Sequence, residues 1–107
     1  MAKISACIIS YNEEKKIEDC LKSLQPVADE IIIVDSNSND HTIKIAKKYT
    51  DKIFTQTFLG YGKQKNFAAS KANHDWIINL DCDERLSEKL QQSILDIKNT
   101  LDDTQAW

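Results

Sequence analysis

From its first residues the chain alternates short apolar runs with amphipathic stretches. Ile4 to Ser10 is a compact, β-prone apolar run that Tyr11-Asn12-Glu13-Glu14 interrupts, and it predicts a buried strand. Ile17, Leu21 and Leu24 then recur at helical spacing with Cys20 beside them, and Pro26 ends that helix. Ile31-Ile32-Ile33-Val34 is apolar without alternation, as in a parallel-sheet strand buried on both faces. The polar cluster Ser36-Asn37-Ser38-Asn39-Asp40 predicts a turn, with Asp40 as N-cap of a second helix that turns Ile43, Ala46 and Tyr49 inward. Ile53-Phe54-Thr55 reads as a third strand, and Gly60-Tyr61-Gly62 opens a third helix from about Lys63 to Ala72. Trp76 to Leu80 is the fourth strand, and Ser87 caps a last helix with Leu90, Ile94, Ile97 and Leu101 on one face.

That order, β-α repeated four times, predicts an α/β fold: three layers, α/β/α, around a mainly parallel, Rossmann-like sheet. Ligands of such sheets bind beyond the carboxyl ends of the strands. Asn12 and Glu13 follow the first strand, Asp35 ends the second, and Asp81 and Asp83 end the fourth, so all converge on that edge. Asp81 and Asp83 lie two residues apart and share a face where the strand continues. Two such carboxylates repel each other and invite a cation. Oxygen-only ligands suit Mg²⁺, Mn²⁺ or Ca²⁺, and a hard cation held by few protein groups bridges to a substrate's phosphates.

Composition narrows the choice. The 107 residues suit one domain, 41% hydrophobic and 29% charged. A net charge of -3, with the 14 basic residues scattered, argues against a nucleic-acid partner. No apolar stretch reaches the length of a membrane span, and the first residues lack a signal-peptide layout. Cys7, Cys20 and Cys82 are odd in number and far apart, which predicts reduced thiols in the cytoplasm. Cys82, between the aspartates, should point into the core, and neither His41 nor His74 has a cysteine partner for zinc. The absence of G-x-G-x-x-G after the first strand excludes a nicotinamide-dinucleotide domain. A phosphatase of the haloacid-dehalogenase type carries its Asp-x-Asp on the first strand; here the motif is on the fourth and is followed by Glu84-Arg85.

Four ordered blocks carry a resemblance: Ile8-Ile9-Ser10-Tyr11-Asn12-Glu13-Glu14, Ile33-Val34-Asp35-Ser36-Asn37-Ser38-Asn39-Asp40-His41-Thr42, Gly62-Lys63-Gln64-Lys65-Asn66-Phe67-Ala68 and Leu80-Asp81-Cys82-Asp83-Glu84. Together they resemble the family-2 glycosyltransferases of the GT-A fold, closest in flavour to bacterial lipopolysaccharide-core glucosyltransferases. The resemblance implies a nucleotide-sugar donor, most often a UDP-sugar, and a glycan or lipid-linked acceptor such as lipopolysaccharide core. Carried over by position, Tyr11 and Glu13 line the nucleoside pocket and Asp35 accepts a hydrogen bond from uracil. Lys65 sits near the base or diphosphate, Asn66 braces the turn, Asp81 faces ribose and metal, and Asp83 is the main ligand to Mn²⁺ or Mg²⁺. A member acting on lipopolysaccharide works at the cytoplasmic face of the inner membrane.

Two departures bear on activity. Ser36 and Asn37 stand where the motif usually has Asp and Gly, and Asn tolerates a left-handed backbone. The general base that inverting transfer needs comes from a later segment of the family. Residues 1–107 therefore read as a single nucleotide-diphospho-sugar-binding domain, cut before the acceptor part, with Gln105-Ala106-Trp107 starting another strand. A hydrophobic patch where that part belongs would favour a homodimer. The alternative is a non-catalytic nucleotide-binding or interaction fragment on the same fold.

Overall fold

The structure, a computed structural model, describes residues 3–104. The strand expected at Gln105-Ala106-Trp107 lies outside them. The elements follow in the expected order: β1 (Ile4–Ser10), α1 (Ile17–Leu24), β2 (Glu30–Asp35), α2 (Thr42–Ala46), β3 (Ile53–Thr55), α3 (Tyr61–Ser70), β4 (Trp76–Asp81) and α4 (Glu88–Thr104). The four strands form one parallel sheet in the order β3-β2-β1-β4. β1 and β2 are the central pair, so their runs are apolar on both faces and all six residues of β2 are buried.

Side chains alternate across the sheet and divide the core in two. Ala6, Ile8, Ile31 and Ile33 pack with Ile17, Cys20, Leu21 and Leu24 of α1, Ala46 of α2, and Cys82 and Leu86. Ile94 and Leu95 of α4 lean on the same cluster. Cys7, Ile32 and Val34 face the other way, onto Ala68 of α3, with Phe54 and Phe67 beside them. The fold is therefore the expected three-layer α/β; among the described residues α1, α2 and α4 cover one face and α3 the other.

Two helices differ from their expected phase. α2 is short and rests Ala46, Ile45 and the following Tyr49 on the core, not Ile43. Thr42 fixes that phase, because it is wholly buried and its amide and hydroxyl both donate to Asp40 Oδ1. Asp40 thus stabilises the helix start from two residues before Thr42. In α4, Ser87 Oγ accepts the Leu90 amide at 3.1 Å as expected of a cap, but Leu90 (47%) and Ile97 (58%) stay exposed while Ile94 and Leu95 pack. No described helix is long and apolar enough to cross a membrane.

Candidate functional site

The C-terminal ends of β1, β2 and β4 open into a cleft of about 540 Å³. Ile9, Ser10, Tyr11 and Glu13 supply its floor and one rim, Ser36, Phe58 and Tyr61 one wall, and Asp81, Cys82 and Asp83 the other. Strand register explains the convergence. Ser10 pairs with Asp35, and Ile9 with Asp81, so three chain segments end at one level. Ser36 and Asp81 lie on opposite sides of β1, at least two strand spacings, roughly 10 Å, apart.

The loops after β1 and β2 are stitched together. The Asn12 amide donates to Ser38 Oγ at 2.8 Å, and the Asn39 amide to Asn12 Oδ1 at 2.8 Å. Glu13 and Glu14 amides donate to Thr42 Oγ1 (2.9 Å) and Asp40 Oδ2 (3.3 Å), and the His41 amide donates to Glu14 Oε2 at 3.1 Å. Asn12 (φ 49) and Asn37 (φ 62) take left-handed backbone at the two tips. Asn37 therefore fills the place of the motif's usual Gly, as Asn is able to do with modest cost.

Asp35 anchors this arrangement instead of facing the cleft. Its side chain is wholly buried, Oδ1 accepts Ser10 Oγ (2.7 Å) and Ser38 Oγ (2.6 Å), and Oδ2 accepts the Ser38 amide (2.7 Å). Asp35, expected to contact the base, is wholly buried here, and three hydrogen bonds on its carboxylate hold the loop. The next residue, Ser36, lines the cleft.

Asp81 and Asp83 do reach the same wall, although not by strand alternation. β4 ends at Asp81, and residues 81–84 form a turn closed by the Glu84 amide on the Asp81 carbonyl at 2.9 Å. Glu84 Oε1 accepts the Asp81 amide at 3.0 Å and tightens the same turn. Cys82 points into the core, 3% exposed, as expected. Lys65 Nζ stands 3.8 Å from Asp81 Oδ1, so Lys65 belongs to the carboxylate end of the cleft. The side chains of both are about half exposed, and the pair is loose and solvated. Tyr11 (55% exposed) and Glu13 line the cleft.

Asn66, expected to brace the turn, is exposed, and its side chain makes no hydrogen bond among the described residues. Gln64, two residues earlier on α3, ties the loop to the helix. It is wholly buried, its Oε1 accepts the Leu59 amide at 3.2 Å, and its Nε2 donates to Gln56 O (3.3 Å) and Ser36 Oγ (3.1 Å). Phe58 and Tyr61 meet edge to face with ring centroids 5.1 Å apart. Gly60, at φ +97, lets the chain turn into α3 between them.

Among the described residues no group of three His, Cys, Asp or Glu side chains is placed to hold a metal ion. The two cleft aspartates alone fit a hard cation that takes its remaining ligands from substrate oxygens and water. The thiols offer no alternative chemistry. Burial, with the nearby carboxylates adding, pushes Cys20 up to about 12, and burial drives Cys82 higher still. Burial, with Glu30 adding, takes Cys7 to about 11.

The model of the family described as "Glycosyl transferase family 2" matches residues 5–104. Curated glycosyltransferases of Rickettsia species match at 43–47% identity, and the chain spans about a third of their length, 31–33%. It is 35% identical over 109 residues to the lipopolysaccharide core biosynthesis glycosyltransferase LpsC of Rhizobium meliloti, covering 97% of this chain and 40% of that protein. Staphylococcus aureus TarS 1-349, solved in complex with UDP-GlcNAc, superposes with a TM-score of 0.74 at 27% identity, covering 96% of this chain and 32% of TarS. Glucosyl-3-phosphoglycerate synthase of Mycobacterium tuberculosis, solved with Mn²⁺ and UDP-Glc, gives 0.63 at 26%, covering 77% and 33%. The chain belongs to glycosyl transferase family 2.

Proposed function

We infer that this family 2 chain forms the donor-binding part of a metal-dependent glycosyltransferase that takes a UDP-sugar. The observation that carries the reading is the polarity of one cleft. Its β2–β3 side offers aromatic rings and a hydroxyl, and its β4 side offers two exposed carboxylates. A nucleoside diphosphate has the same polarity, a planar ring at one end and phosphates at the other. Asp83 and Asp81 would hold Mn²⁺ or Mg²⁺ against the diphosphate, and Tyr11 and Glu13 would border the nucleoside. The cation would neutralise the charge that grows on the departing diphosphate. Lys65, beside Asp81, would add a second positive charge at that end.

The UDP-GlcNAc and Mn²⁺–UDP-Glc complexes of the two similar structures support this donor and this metal. The likeness to LpsC supports a lipid-linked or glycan acceptor of the lipopolysaccharide-core type. We place the protein in the cytoplasm, touching the inner membrane where such an acceptor is presented. The acceptor site and the general base would come from the length its relatives have and these residues do not span, so the 107 residues bind donor without transferring sugar. Sugar transfer by the purified chain would overturn that last point.

Calorimetric titration with UDP, with and without Mn²⁺ and with ADP as control, tests the reading. The expected result is UDP binding that needs Mn²⁺ and exceeds ADP binding, with no measurable uptake of Mn²⁺ alone. Metal-independent binding would remove the aspartates from the site. No binding by a chain shown to be folded would overturn the donor reading.

A further inference from the structure

Gln64 is an amide buried without a charge to serve, and its three hydrogen bonds determine which way it faces. The Leu59 amide requires an acceptor and the Gln56 carbonyl a donor, so Oε1 must face the first and Nε2 the second. Reversing the amide would oppose donor to donor and acceptor to acceptor. Nε2 therefore also donates to Ser36 Oγ, which is left in the role of acceptor. The Ser36 proton then has no protein acceptor among the described residues. Ser36 lines the cleft on the same wall as Phe58 and Tyr61, whose rings offer a surface for a planar group.

We propose that Gln64 is a positioning residue that sets the polarity of Ser36, so that Ser36 donates a hydrogen bond to a ring carbonyl oxygen of the bound nucleobase. The proposal rests on the donor reading above and adds the residue pair that reads the base. The logic is that of a fixed donor. A free serine hydroxyl turns to suit either a donor or an acceptor, whereas one already accepting from a buried amide meets a ligand donor less well. Uracil supplies such a carbonyl and adenine does not, so the pair discriminates by ring chemistry and not by size.

The test compares UDP with pyrophosphate, both with Mn²⁺, on the full chain and on Ser36→Ala, Ser36→Thr and Gln64→Glu. In Gln64→Glu the new carboxylate would take the Ser36 proton and turn lone pairs toward the ligand. Ser36→Ala and Gln64→Glu should each weaken UDP by about 3- to 10-fold, the value of one neutral hydrogen bond, and leave pyrophosphate unchanged. Ser36→Thr should retain UDP affinity. If Gln64→Glu fails to fold, Gln64→Met, which frees the hydroxyl to rotate, should show a smaller UDP-selective loss. Equal losses for UDP and pyrophosphate in folded variants, or no loss, would overturn the proposal and leave the donor site standing. A loss in Ser36→Ala alone would overturn the part given to Gln64. Failure of the unaltered chain to bind either probe would overturn both this proposal and the donor reading.

Discussion

The two ends of the sheet hold carboxylates in contrasting company. At the N-terminal end of β2, Glu30 is 7% exposed and accepts from Ser5 Oγ, the Asn73 amide and the Asn73 side chain, each at 2.7 Å, while Lys52 Nζ lies against Oε2. Burial alone would raise its pKa; the Asn73 amide, then Lys52, Ser5 and the Asn73 side chain, outweigh it and hold Glu30 at about 2. At the other end, Asp81 and Asp83 are exposed, and the Asp81 carboxylate makes a loose, solvated pair with Lys65. Position at the cleft end does not by itself mark a functional carboxylate, because Asp35 sits there wholly buried and accepts three hydrogen bonds from its own loop and β1. The sign of function is acceptor capacity left unspent next to open space.

The largest expected effect lies at the N-terminal end. Glu30→Ala strands three donors and a lysine in partly buried surroundings and should cost about 3–5 kcal/mol of stability in urea unfolding, with little change in the cleft. Acid should expose the same group. Its folded pKa is lowered, so its stabilisation is complete above the ordinary value of 4.5 and fades as pH falls toward about 2. Glu30→Gln should flatten the stability–pH curve in that window. A curve that keeps its slope would show that other carboxylates set acid stability.

Asp83→Ala inverts the pattern. Stability should stay within about 0.5 kcal/mol, as for an exposed position, while Mn²⁺-dependent UDP affinity falls by about 100-fold. Retained metal-dependent affinity would refute its role as ligand. Asp35→Ala separates the two carboxylates of the cleft end. Removing the shared acceptor of Ser10 and Ser38 should lower stability by about 2–3 kcal/mol and weaken UDP and pyrophosphate together, since the loop moves as a unit. A selective loss of UDP would return Asp35 to the role of base contact. The smallest effect concerns Asn37. Asn37→Ala should cost about 1 kcal/mol at its left-handed φ, and Asn37→Gly should cost nothing measurable by thermal unfolding.

The strands were legible because a central parallel strand must be apolar on both faces, and Ile31-Ile32-Ile33-Val34 says so locally. The convergence of Glu13, Asp81 and Asp83 followed from topology alone. Burial of individual residues at loop ends was less legible. Asp35 and Ser36 are neighbours, and which of them faces the cleft depends on Ser10 at the end of β1 and Ser38 in the loop after β2. Gln64 was missed for a similar reason, its partners being residues 36, 56 and 59. One local signal pointed to it: Gln64 and Ala68 are four apart on a helix, so they share a face, and Ala68 is buried. Ile97 misled because a periodic apolar stripe shows that a face can be buried, without showing what lies against it.

The thin cover of the sheet's second face has a consequence for dynamics. Among the described residues α3 is the one helix on that face; Gln64 and Ala68 of its ten residues are fully buried and Phe67 partly so. A helix held by so little apolar contact opens by local unfolding well below the global free energy, and its amides should exchange with solvent sooner than those of β1 and β2. Yet α3 carries Tyr61, which lines the cleft, and Gln64 and Lys65, which contact the lining residues Ser36 and Asp81. On the donor reading, occupancy of the cleft and closure of the helix would be one linked equilibrium. A bound nucleotide should slow amide exchange along α3 more than anywhere else in the chain, and part of its binding free energy goes into holding that helix shut.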